Sequence, residues 1–148
     1  MVLSLALAVA QMLEGKLSVR KILINAQAQC ARCTLMLFHD YESVSAVSFY
    51  SEQALLPVID STSADLWWGR EWARGTDAEA ASFVSSEDVF ARSQRGEAIM
   101  VLVPRGERVV FAASPLALHA TLLARRGGNQ IFQLHVPLGA QMRELPLP

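Results

Sequence analysis

"EAIMVLVPRGERVVFAAS", residues 97–114, is the stretch on which the fold turns. Ile99 to Val103 is an unbroken apolar run. "PRGE" follows, with Pro104 and Gly106 in turn-compatible places. Arg108 to Ala112 is a second run, rich in Val and Phe. Two runs joined by such a turn read as a β-hairpin. That pair sets the expectation for the whole sheet.

Upstream, "RCTLMLFHD", residues 32–40, holds the run Leu35 to Phe38, which reads as a buried central strand. "DYES" is turn-like, and "VSAVSFY", residues 44–50, alternates well enough to pair back as a second hairpin strand. "LLPVID" reads as a short strand around Pro57. Downstream, Ser114-Pro115 supplies an N-cap and a first-turn proline, so "PLALHATLLARR" reads as a helix. Arg125 and Arg126 suit its negative end, and Gly127 and Gly128 stop it. "QIFQLHV", residues 130–136, reads as a last strand.

Four more segments have helical spacing. Residues 2–13 carry Val2, Leu5, Val9 and Met12 on one stripe. Val19 to Cys30 places Val19, Ile22, Leu23 and Ala26 inward, with Ser18 as cap. Ala64 to Arg74 is closed by Gly75, and Ser86 to Arg92 is capped by Ser86. The fold expected is α+β: a mostly antiparallel sheet covered by helices on one side. There is no repeat or linker, so residues 1–148 read as a single domain.

Composition narrows the partners. Net charge is −1 and pI about 6.3, which argues against a basic nucleic-acid footprint. No run reaches the roughly 18 apolar residues of a membrane span. "MVLSLALAVAQ" has a slight secretory look, with Ala8-Val9-Ala10, but lacks a basic start and reads as the first turns of a buried helix. Apolar residues make up 52% and charged residues only 18%, so a pocket or a covered face is expected.

Two stretches carry a resemblance. Residues 6–40 show two helices, then a strand beginning at Arg32-Cys33-Thr34; residues 75–114 show a polar segment, a short helix and a strand-turn-strand. In that order the chain resembles GAF domains over about half its length. The resemblance implies a GAF- or profilin-like fold and a sensory or scaffold module. It does not extend to the Asn-Lys-Phe-Asp-Glu set of cyclic-nucleotide-binding members, absent from "AASPLALHATLL", or to a bilin-attachment pattern. No cofactor is therefore implied.

The candidate chemistry is sparse. Cys30 and Cys33 form "CARC", which serves as two buried structural thiols, as a redox dithiol or as part of a shared metal site. The residues after the motif read as a strand, which favours the structural use and, weakly, a reducing intracellular compartment such as the cytoplasm. His39 and Asp40 are adjacent on a strand and so face opposite sides. No catalytic residue and no metal ligand set is assigned.

The densest signal is "DLWWGREWARGT", residues 65–76, with Trp67, Trp68 and Trp72 interleaved with Arg70 and Arg74. Trp68 and Trp72 share a helix face. Indole and guanidinium are the groups enriched at interface hot spots. The first function expected is a non-catalytic regulatory or scaffold domain that docks through this face, as a homo-oligomer or a subunit of a complex. The alternative is a sensory module holding a small molecule between the sheet and the Trp67–Trp72 segment. A thiol oxidoreductase using Cys30 and Cys33 is third.

Overall fold

The computed structural model of the chain describes residues 19–61, 66, 70–71 and 73–138. The expected helix over 2–13, its signal-like look and most of the expected helix over 64–74 lie outside the described residues.

Among the described residues six strands form one mixed sheet in the order β3-β2-β1-β4-β6-β5. They are β1 Thr34–Phe38, β2 Val58–Ile59, β3 Phe83–Val84, β4 Ile99–Val103, β5 Ala120–Arg126 and β6 Asn129–Leu134. The pairings of β1 with β2, β2 with β3 and β1 with β4 are parallel. β6 is antiparallel to β4, and β5 to β6. Helices α1 Val19–Gln29, α2 Asp77–Ser82, α3 Ser86–Gln94 and α4 Arg108–Ala113 join three 3₁₀ helices at Glu42–Phe49, Arg105–Glu107 and Pro115–His119. The α+β expectation holds at the level of class, but the sheet is mixed rather than mostly antiparallel.

Both faces of the sheet are covered, not one. Leu35, Leu37, Met100, Leu102 and Ile131 pack with Val19, Ile22, Leu23 and Ala26 of α1 and with Val44 and Val47. The alternate residues Met36, Phe38, Ile99, Val101 and Val103 pack with Val89 and Phe90 of α3, with Phe111 and with Leu116. The α1 residues recur at i, i+3, i+4 and i+7, the spacing of one helix stripe. α3 starts from a capping box in which Ser85 and Asp88 exchange hydrogen bonds. The cap is thus Ser85, not Ser86.

The polar stretch before Ser86, expected as loop, holds α2 and β3, and three segments take an element other than the one expected, each for a physical reason. Residues 108–113 form α4, not the second arm of a hairpin. Val109 and Val110 favour strands locally, but β6 already occupies the edge of β4 that this arm needed. Only Phe111 of α4 is buried, against Phe38 at 5.1 Å and Phe132 at 4.7 Å between ring centroids. Residues 44–50 are 3₁₀ rather than strand; only Val44 and Val47 are buried, three apart, which matches three residues per turn. Residues 120–126 are β5 rather than helix. Gly127 and Gly128 have φ of 58° and 88°, and Arg126 pairs with Asn129 across them. They form the two-residue loop of a hairpin, not a helix stop.

β1 is longer than its neighbour β2, which leaves the Leu35 backbone without a strand partner on that side. Gln53 replaces the missing strand. Its Oε1 accepts from the Leu35 N–H, and its Nε2 donates to the Leu35 carbonyl at 3.1 Å. Gln53→Ala should cost about 1–3 kcal/mol, because two backbone groups lose their partner in a half-buried place. Urea unfolding measures this as a lower midpoint at unchanged slope.

Arg92, near the end of α3, holds Glu97 at the entry to β4 through two hydrogen bonds of 2.7 and 2.6 Å. This guanidinium holds the Glu97 carboxyl below its ordinary range, against an opposing push from burial. A depressed folded-state value means that the contribution is complete above the ordinary carboxylate range. It is lost as pH falls through the depressed value. Glu97→Gln should therefore flatten the acid side of a stability-against-pH profile and leave its slope above that range unchanged.

Candidate functional site

Parallel neighbours need a crossover that carries the chain from the carboxyl end of one strand to the amino end of the next. For β2 and β3 that crossover is residues 60–82, which contain the tryptophan stretch. Its described part is held by acidic partners. The Arg70 guanidinium lies 5.7 Å from the centre of the Phe83 ring, with Nε 3.6 Å from Glu79 Oε1. Glu79 Oε2 also accepts the Gly75 N–H at 2.7 Å. Arg74 pairs with Glu71, three residues back. The structure thus brings Arg70 to Phe83 and leaves Arg74 in a local, exposed ion pair. Trp67, Trp68 and Trp72 lie outside the described residues.

A cleft of about 430 Å³ opens beneath this crossover. Val58 and Phe83, the first residues of β2 and β3, form part of its wall. Tyr41, Leu55, Leu56, Leu66, Ala73 and Ala78 supply more of the lining, with Ser48, Gln53 and Ser82 as polar points. Leu66 and Ala73 bracket the tryptophans in sequence. Its volume and mostly apolar lining match small-molecule sites. The Gln53 amide is already committed to Leu35 and to the Leu55 carbonyl, so it serves as wall.

The carboxyl ends of the strands form a second feature. His39 and Asp60 follow β1 and β2 directly and have φ of 58° and 45°. Among the described residues they are the only non-glycine residues in the left-handed region. Such conformations cost about 1–3 kcal/mol and collect at functional places. His39 Nδ1 lies 3.1 Å from Glu107 Oε2, both half-buried, and its ring stacks on Phe38 at 4.0 Å. Asp60 accepts from the Ser86 N–H at 3.1 Å and from its hydroxyl. The strand order reverses between β1 and β4, and such switch points are where open sheets with parallel strands bind ligands.

The sequence reading missed these residues because it placed His39 within a strand. A signal was present. Each parallel strand is an apolar run that ends abruptly in polar residues: Phe38-His39-Asp40, Ile59-Asp60, Val84-Ser85-Ser86 and Val103-Pro104-Arg105. That repeated ending marks aligned carboxyl ends better than alternation marks hairpins.

The two cysteines are not free thiols. Cys30 and Cys33 are joined in a disulfide with Cα atoms 5.5 Å apart, bridging the end of α1 and the start of β1. The Cys30 N–H donates to the Ala26 carbonyl at 3.0 Å, so this residue closes the last helical turn. A thiolate there would face the negative end of the helix dipole. The position suits a staple better than an exchanging dithiol. Disulfides persist mainly in oxidising compartments, so the pair no longer argues for a reducing one.

Among the described residues no group of three His, Cys, Asp or Glu side chains is placed to hold a metal ion. Nor is any described helix long and apolar enough to cross a membrane. No family model, curated protein or solved structure matches the chain.

Proposed function

We propose that the chain is a non-catalytic binding module that holds a small, largely apolar molecule in the cleft between the sheet and the tryptophan-bearing crossover. The observation that carries this reading is the cleft itself, about 430 Å³ and lined by Leu55, Leu56, Val58 and Phe83 under Leu66 and Ala73. Tyr41, Ser48 and Ser82 give it few polar points, so orientation comes from shape more than from hydrogen bonds. The role agrees with the sensory function that a GAF-like relationship would imply.

A second reading is docking of a partner protein, or of a second copy, on the same apolar rim. Phe49 favours it: the residue beside the cleft-lining Ser48 is 86% exposed. An exposed phenyl ring next to an apolar cleft is a usual interface anchor.

Titration with Nile red, a neutral apolar dye, separates the two. A ligand-binding cleft gives one saturable site per chain and a change in tryptophan emission. Ala78→Trp, on α2 at the cleft wall, should abolish binding while the circular dichroism spectrum stays unchanged. Equal dye binding by a folded Ala78→Trp variant would overturn the reading. Docking instead predicts a particle mass above one chain that falls to one chain in Phe49→Ser.

A further inference from the structure

We propose a second binding site, in the groove between α4 and the β5–β6 hairpin, for an organic anion: a carboxylate or phosphate carried on an aromatic or aliphatic body. The groove measures about 690 Å³ and lies on the opposite face of the sheet from α1. Phe111 and Phe132 contribute apolar lining, their ring centroids 4.7 Å apart. Val109, 82% exposed, stands at the rim. Arg105, Arg108 and Gln130 add the polar part.

The arginines carry the argument. Arg70, Arg74 and Arg92 each have a carboxylate partner. Arg105 and Arg108 have none among the described residues, a lack they share with Arg20, Arg32, Arg95 and Arg125, but these two line one groove. The Nε of Arg108 is also buried without any hydrogen-bond partner. A buried donor left unpaired costs free energy; that nitrogen has no exposed surface, so a bound anion would meet the terminal nitrogens of the Arg108 guanidinium instead. Two guanidiniums lining one groove suit planar, bidentate anions. The phenyl-lined wall selects those with an apolar body.

Arg105 is held in place by its surroundings. Its backbone N–H donates to Asn129 Oδ1 at 3.0 Å, and its aliphatic stem lies over Gly128. A Cβ at Gly128 would stand 2.7 Å from Arg105 Cδ. Glycine suits that position for its φ of +88°, and a side chain there would displace the Arg105 stem.

Calorimetric titration with 4-phenylbutyrate and with phenyl phosphate tests the site, with neutral 4-phenylbutan-1-ol as control. At least one anion should bind about tenfold or more tightly than the alcohol, and its affinity should fall with added salt. Arg108→Met and Arg105→Met, which keep an aliphatic stem, should each weaken that anion by about tenfold. Ala78→Trp, in the other cleft, should leave it unchanged, so failure here is separable from failure of the apolar site. An alcohol that binds as well as both anions, or an Arg108→Met variant that retains full affinity, would overturn the proposal.

Discussion

The burial of β4 is the constraint on which the structure rests. All five of its residues, Ile99 to Val103, are shielded, alternately against α3 and α4 on one face and against α1 on the other. Full burial of such side chains contributes about 1.5–3 kcal/mol each. Both edges of the strand are also taken, by β1 in parallel and β6 antiparallel. A strand covered on four sides has no place for a following hairpin arm. The chain after Val103 must leave the sheet, and it does so as α4, with a single buried anchor in Phe111. It returns as the β5–β6 hairpin, which fills the remaining edge.

The same requirement shapes the other side of β1. The strands on that side, β2 beside it and β3 beyond, are two residues each, too short to match it. Gln53 supplies the amide that β2 lacks. Parallel pairing at β2 and β3 forces long crossovers, and the tryptophan stretch is one of them. Leu66 and Ala73 of that crossover line the cleft at the amino ends of the two short strands, a consequence of topology. The cleft lies where those strands begin late, beneath the crossover.

Local periodicity was legible wherever one chain segment decided its own burial. The stripe of α1, the run in β1, the α3 segment and the final strand all stand where their spacing puts them. The misread segments are those whose state depends on a distant neighbour. Val109 and Val110 have strand chemistry but no free strand edge. Leu122 and Leu123 belong to a stretch of helical composition but lie ahead of a Gly127-Gly128 turn that folds them against β6. Composition cannot tell a glycine pair that ends a helix from one that reverses a strand; the partner strand does. The candidate residues fared accordingly. Arg70 and Arg74 were visible beside the tryptophans. His39, Asp60, Arg105 and Arg108 gained meaning only once the strands were aligned with their carboxyl ends together.

Uneven strand lengths also decide where the molecule is open. At the β2–β3 side, short strands meet a long crossover and leave the apolar cleft at their amino ends. At the β5–β6 side, strands of seven and six residues are faced by α4, a helix of only six. That helix cannot cover Phe132 as well as anchor Phe111, so an opening remains where Arg105 leaves β4. The two openings thus lie near opposite strand ends. Their chemistry differs for the same topological reason. The first is walled by strand starts, where apolar residues enter the sheet. The second is walled by a strand exit, where polar residues leave it and where Arg105 and Arg108 stand without acidic partners among the described residues.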